Sequence, residues 1–420
     1  MTQKKVVRKR RKRYKLVWPW KNSKLRLKRR KLKIRKEVLY LLVALFALFL
    51  LFFIPRHLQT SRLKKLGYKK DEIAAIRKEN LANELIEKEY YSPFLANSIK
   101  DGTLNKDYLS LYTVISEDGS LDEQDFLLYN RLLDRGYTEE QLLNLFHSLR
   151  RYEMTPLLVF DYQIIETKYI EDCLNNRETN SKDHFVLTNN YYTHYANPIE
   201  VSDPNSIDML VNKTYYLPDG FRPNDLETMS RVYAAEDRQL SSVAARAFEE
   251  FADAGQNVGV RFFITSSFRS YEDQVALHDM YVKSYGEEWA DERSARAGYS
   301  EHQTGLTVDI AAVNEDDKEN FEDTLAYQWT KSNCQDYGWI IRFPEGKEQI
   351  TGYIFESWHY RYLGKELAQA VVASGLTYDE FYCLYLKPWD NEENKPSEAI
   401  LAATNWQKKQ AEPEESEKPE

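Results

Sequence analysis

Residues 300–313 read SEHQTGLTVDIAAV, and the fold of the second half of the chain turns on how this stretch is taken. Thr307 to Val313 is a short β-branched and apolar run, which predicts a strand. Asp309 lies inside that run, and an ionised carboxylate buried there costs free energy unless a cation or hydrogen-bond donors face it. Gly305, just upstream, is a natural turn residue, and His302 stands three positions before it. The stretch therefore predicts a turn that carries an imidazole into a strand that carries a carboxylate.

Two neighbouring segments extend the pattern. Residues 261–266, RFFITS, predict a strand that runs into SSFRS (266–270), which contains Arg269. Residues 352–356, GYIFE, predict another strand, followed by ESWHY (356–360), in which Glu356 and His359 bracket Trp358. A regular strand sends positions i and i+3 to opposite faces, so both side chains serve one site only if the strand bends or ends there. Residues 227–254 read as one long amphipathic helix with Val232, Leu240, Val243, Ala247 and Phe251 as its buried stripe. Thr377 to Glu380 is a capping box that opens a last helix. This mixture makes residues 185–386 an α+β domain.

Two histidines and one aspartate suit a catalytic zinc ion, with the fourth position left to water. One anionic ligand leaves the ion about one net positive charge with which to polarise a carbonyl and acidify a water. A nearby carboxylate that is not a ligand then takes the proton, and Glu356 fits. Taken singly, Asp309 is equally a buried structural acid and Glu356 a surface charge, so spacing alone leaves both accounts open. His57, His147, His184, His194 and His278 are ordinary hydrogen-bonding histidines with no assigned role.

The chain of 420 residues divides sharply by charge. Residues 1–36 hold 19 Lys or Arg and no acid, whereas the residues beyond 54 carry a net charge of −26. Between them Val38 to Ile54, VLYLLVALFALFLLFFI, contains no charged residue. As a helix it spans about 25 Å, enough for a bilayer core with Lys36 and Arg56 snorkelling at its ends. The long arm and the bulky FFIPRH at the end of the run argue for a retained span at residues 37–54 rather than a cleaved leader. The basic arm (1–36) is expected to stay cytoplasmic and the acidic body to face outward. Beside a span, such an arm is a topology signal rather than a nucleic-acid binder. Three distant cysteines, Cys173, Cys334 and Cys383, exclude a disulfide scaffold and an all-cysteine zinc site.

Residues 58–180 predict helices. Gly67-Tyr68 before KKDEIAAI echoes Gly136-Tyr137 before TEEQLLNL, each a loop glycine followed by an acidic first turn. DGSLDEQD (118–125) is not a calcium loop, because Val114 and Ser116 stand where acidic ligands are needed. A helical stalk or interaction module with a possible protein partner is expected here. The Pro-, Glu- and Lys-rich residues 387–420 are expected to be disordered.

Together SSFRS, SEHQTGLTVD and ESWHYRY resemble the VanY-type zinc D-alanyl-D-alanine carboxypeptidases, whose pattern is an Arg after a strand, then S-x-H-x-x-G-x-x-x-D, then E-x-W-H. The resemblance extends upstream to LVNK (210–213) and YLPDGFRP (216–223) and covers roughly residues 205–386. It implies the hedgehog and D,D-peptidase type of α+β fold, a small antiparallel sheet flanked by helices. It further implies one zinc ion on His302, Asp309 and His359, with Glu356 as general base and Arg269 stabilising the oxyanion or holding substrate. Gln274 and Ser300 match positions that contact the C-terminal end of the peptide, and Trp358 lines the pocket or packs in the core. Tyr299 departs from the small-residue run usual before the Ser. The implied activity is removal of C-terminal D-alanine from peptidoglycan stem peptides. The alternatives are an L,D-carboxypeptidase acting on tetrapeptide stems and, from another class, a non-catalytic wall-binding scaffold.

Overall fold

The computed structural model describes residues 36–159, 166–177, 194–315 and 319–387. The basic arm before Lys36, the first residues (185–193) of the expected peptidase domain and the tail beyond Lys387 lie outside them. The chain forms two compact units, residues 1–64 and 65–420.

The helix Lys36–Leu66, nearly all of it in the first unit, is 31 residues long and apolar enough to cross a membrane. Every side chain from Val38 to Ile54 is exposed. In water that surface would be strongly unfavourable, whereas in hydrocarbon it is matched to its surroundings.

In the second unit, the described residues between Lys70 and Asn176 are mostly helical, from Lys70–Lys78 to Glu166–Asn176. The two echoed segments behave alike: Gly67 and Gly136 both take positive φ (122° and 94°) and lead into the helices Lys70–Lys78 and Glu139–Ser148. Asp122 is an N-cap, accepting from the backbone N–H groups of Gln124 and Asp125, which accounts for the acidic DGSLDEQD segment. From Leu111 onward the helices share their interior with the α+β part of the chain. Buried residues from Leu111 to Tyr385 form one continuous apolar core. The short helix Pro156–Val159 packs on the C-terminal helix Tyr378–Phe381, and Thr155 Oγ1 donates to Glu380 Oε1 at 2.5 Å. The capping box at Thr377 is present as predicted.

Among the described residues, eight short strands follow: β1 (Ile199–Glu200), β2 (Tyr215–Tyr216), β3 (Leu226–Thr228), β4 (Gln239–Ser241), β5 (Phe262–Ser266), β6 (Thr307–Ala312), β7 (Trp339–Ile341) and β8 (His359–Tyr362). The last four form an antiparallel sheet in the order β5-β6-β8-β7. The helix Ser242–Asn257 lies behind it, with Phe248 and Phe251 meeting Phe262, Trp329 and Trp339 in an aromatic cluster. Burying each of these rings contributes roughly 1.5–3 kcal/mol, so this face anchors the sheet. The result is the α+β arrangement expected, a small antiparallel sheet flanked by helices.

Two sequence expectations fail. The long helix over 227–254 is a β3–β4 hairpin followed by a helix that begins only at Ser242. Leu240 is buried as a strand residue paired with Glu227, while Val232 is 68% exposed, so the apparent stripe mixed two periodicities. The strand expected at residues 352–356 is absent. Gly352 (φ 76°) instead ends the short helix Glu348–Thr351, and a Cβ there would meet the His194 ring at 2.6 Å. The strand starts later, at His359.

Candidate metal centre and active site

Antiparallel register does much of the assembly. Asp309 on β6 pairs directly with His359, the first residue of β8, and on its other side with Ser266 at the end of β5. His302 arrives from the 3₁₀ turn Glu301–Thr304, which Gly305 closes in the left-handed conformation (φ 69°). A Cβ on Gly305 would lie 3.1 Å from the Ser241 backbone nitrogen, so the turn also requires glycine for space. Glu356 precedes a tight turn at 357–358 and is therefore free of strand alternation. That turn resolves the i, i+3 problem posed by the sequence, and Glu356 Oε2 lies 3.3 Å from His359 Nδ1.

The ligand-type atoms of His302, Asp309 and His359 lie within 4.8 Å of one another. His302 Nε2 is 3.3 Å from Asp309 Oδ2, and His359 Nδ1 is 3.1 Å from Asp309 Oδ1. His302 Nδ1 lies 2.8 Å from the Ser267 carbonyl and so carries the proton, which leaves the Nε2 lone pair facing Asp309. Asp309 Oδ1 is buried without a hydrogen-bond partner. Burial alone would raise the Asp309 carboxyl, but His302 and His359 hold it well below the usual carboxylate range. Burial pushes His302 down, with Asp309 opposing. His359 is driven up despite burial, because Asp309, Glu301 and Glu356 converge on it. Acceptors facing acceptors around a surplus of negative charge is an arrangement that a divalent cation satisfies, and two imidazoles with one carboxylate fit zinc.

Beside this centre is a cavity of about 190 Å³ whose lining includes Arg269, Gln274, Ser300, Trp358 and Tyr281. Arg269 donates to Gln274 Oε1 and to Ser266 Oγ, both at 2.9 Å, and burial lowers its pKa with Asp309 opposing. Gln274 is 1% exposed, and its Nε2 donates to Ser294 Oγ and the Ala295 carbonyl. Its amide is thus committed to holding Arg269 and the cavity wall. Ser300 and Trp358 both line the cavity. His278, left without a role, pairs with Asp291 at 3.1 Å.

Sequence reasoning missed a buried charge network behind the centre. Arg342 Nε and Arg361 Nη1 both donate to Glu301 Oε1, at 2.8 and 2.9 Å. Arg342 also forks onto Asp379, which in turn accepts from Asn212 Nδ2 at 2.7 Å. Burial would raise the Glu301 carboxyl, but the two guanidinium groups hold it far below its ordinary value. Glu301 and Arg361 fall inside the SEHQTGLTVD and ESWHYRY motifs, yet nothing in their spacing pairs them across 60 residues.

His302, Asp309 and His359 could together hold a metal ion, with the Glu356 carboxylate beside them on the wall of the same small cavity. The sequence pattern of the VanY family, D-alanyl-D-alanine carboxypeptidases, matches residues 237–365. Putative carboxypeptidase YodJ of Bacillus subtilis (strain 168) is 37% identical over 188 residues, 43% of this chain and 69% of its own. The bifunctional D-Ala-D-Ala dipeptidase and carboxypeptidase VanXYC of Enterococcus gallinarum is 29% identical over 178 residues, 41% of this chain and 92% of its own. A solved LdcB LD-carboxypeptidase shares 35% identity over 44% of this chain and 89% of that one, with a TM-score of 0.42. The chain belongs to the VanY carboxypeptidase family, and it is an enzyme of that class.

Proposed function

We propose that the chain is a membrane-anchored zinc D,D-carboxypeptidase that removes the terminal D-alanine from peptidoglycan stem peptides. The observation that carries this reading is the convergence of His302, Asp309 and His359 with Glu356 3.3 Å from His359, on the wall of a cavity that also holds Arg269. In this reading one zinc ion rests on the two histidines and the aspartate, and when bound it supplies Lewis acidity and an acidified water. Glu356 takes the proton of the attacking water and passes it to the departing amine of D-alanine. Arg269, clamped by Gln274 and Ser266, donates to the oxygen that gains charge as the carbonyl becomes tetrahedral. Ser300 and Trp358 shape the subsite for the terminal residue. The helix Lys36–Leu66 tethers the enzyme, with the arm in the cytoplasm and the acidic unit outside, within reach of the wall.

The test uses the full chain in detergent, with stem pentapeptide and tetrapeptide offered separately and D-alanine release followed with and without a chelator. Chelator-sensitive release from the pentapeptide is expected. Release from the tetrapeptide alone moves the enzyme to the L,D class, and a metal-free, inactive chain leaves the scaffold reading in its place.

A further inference from the structure

His359 has two ring nitrogens and only one faces the centre. Nδ1 lies toward Asp309 and Glu356; Nε2 points away, into the protein, toward Glu301. Glu301 Oε2 is 3.6 Å from Nε2, just beyond hydrogen-bond length. Both atoms are buried and, among the described residues, neither has a hydrogen-bond partner. Each is the polar group that the other faces, and a movement of a few tenths of an ångström joins them.

We propose that Glu301 is a positioning residue for the metal centre, accepting a hydrogen bond from His359 Nε2–H and so keeping the Nδ1 lone pair on the metal. The charge balance behind it supports this. Arg342 is matched by a two-pronged contact with Asp379, and Arg361 by Glu301 Oε1, so the four buried charges balance. Both guanidinium groups donate to Oε1 of Glu301, at 2.8 and 2.9 Å, which leaves Oε2 as the acceptor that faces His359 Nε2. The second oxygen of Glu301 is not needed for either arginine and is aimed at the histidine. The two ligand histidines thus differ in their outer partner: His302 leans on a neutral carbonyl at Ser267, His359 on an anion. An anionic partner raises the basicity of a ligating imidazole and fixes its ring, and losing such a partner typically weakens metal binding by about 10–100-fold.

This inference rests on the proposed zinc site, and its test separates the two. Zinc affinity is measured on the full chain in detergent by competition with a chromophoric chelator. Glu301→Gln is expected to bind zinc about 10–100-fold more weakly than wild type. Asp379→Asn, which disturbs the same buried arginine without facing His359, is expected to lose thermal stability while its zinc affinity stays within roughly threefold, too small a change to be that of a ligand's partner. Equal zinc affinity in Glu301→Gln and wild type overturns the role of Glu301 and leaves the zinc site standing, as does an equal weakening in both variants. A wild-type chain that binds no zinc takes both down. If Glu301→Gln does not fold, the histidine-labelled wild-type zinc protein answers by ¹⁵N NMR, with only seven histidines to assign. Protonated Nε2 with metal-shifted Nδ1 on His359 is expected; the opposite tautomer refutes the proposal.

Discussion

Replacing Thr155 with valine removes one hydrogen-bond donor and almost no volume. Thr155 is fully buried, and its hydroxyl donates to Glu380 Oε1 across 225 positions of sequence, from the helical region to the C-terminal helix. The other oxygen of Glu380 accepts from the Thr377 backbone N–H and hydroxyl, at 2.9 and 3.0 Å. The substitution therefore leaves one oxygen of a fully buried carboxylate without its donor. Hydrogen bonds to charged groups contribute about 1.5–3 kcal/mol, and that is the expected loss. At roughly 2 °C per kcal/mol for a unit of this size, the unfolding midpoint falls by about 3–6 °C. The assay follows thermal unfolding by circular dichroism and, in parallel, release of zinc from the centre. Because Leu111 to Tyr385 share one core, both signals should move together. A double-mutant cycle with Glu380→Gln should return a coupling energy of about 1–2 kcal/mol. If the zinc signal keeps its wild-type midpoint while only the helical signal shifts, the helices are a separate stalk and the shared-core argument fails.

Three further outcomes are expected. Glu356→Gln should retain stoichiometric zinc and lose turnover by about 10²–10⁴-fold, the usual scale of a general base; unimpaired kcat would remove Glu356 from the chemistry. Asp309→Ala, which deletes the anionic donor between the two imidazoles, should purify without metal, and a full zinc complement measured by atomic absorption would sink its assignment as a ligand. Lys213 is 2% exposed, and burial pushes its ammonium down from 10.5 to about 8, with Asp291 and Glu292 opposing. Between those two values the unfolded chain still holds a proton that the native state has released, so rising pH favours the native state. The stability of wild type relative to Lys213→Met should accordingly grow by up to about 3 kcal/mol from pH 7.5 to 10.5 in urea unfolding, and a flat difference would contradict the buried-amine account.

Much of the centre was legible because its residues lie in short segments whose chemistry is local. TVDIAAV reads as a strand, Gly305 as a turn, and an aspartate inside an apolar strand demands a partner wherever the strand goes. The two misread elements share a cause. In 227–254, strand and helix residues fell by chance on one helical stripe, and the exposure of Val232 shows that only contact with the sheet decides which side is inside. In 352–356, β-branched and aromatic composition suggested a strand, but Gly352 lies against His194 and ends a helix.

The sequence by itself determined the apolar span and the alternation of helix-rich and mixed regions, which are properties of residue type and near-neighbour spacing. Spacing alone left Asp309 and Glu356 open, and the two imidazoles, the aspartate and the spare carboxylate were singled out as a set by the motifs they share with the VanY-type enzymes. Only the tertiary structure decided that Asp309 stands opposite His359, that the strand begins late enough to free Glu356, and that two buried arginines hold Glu301 by one oxygen while the other faces His359. Those facts depend on register and on charge pairs formed across 41 to 60 residues, where the free energy of burial rather than local preference selects the partner.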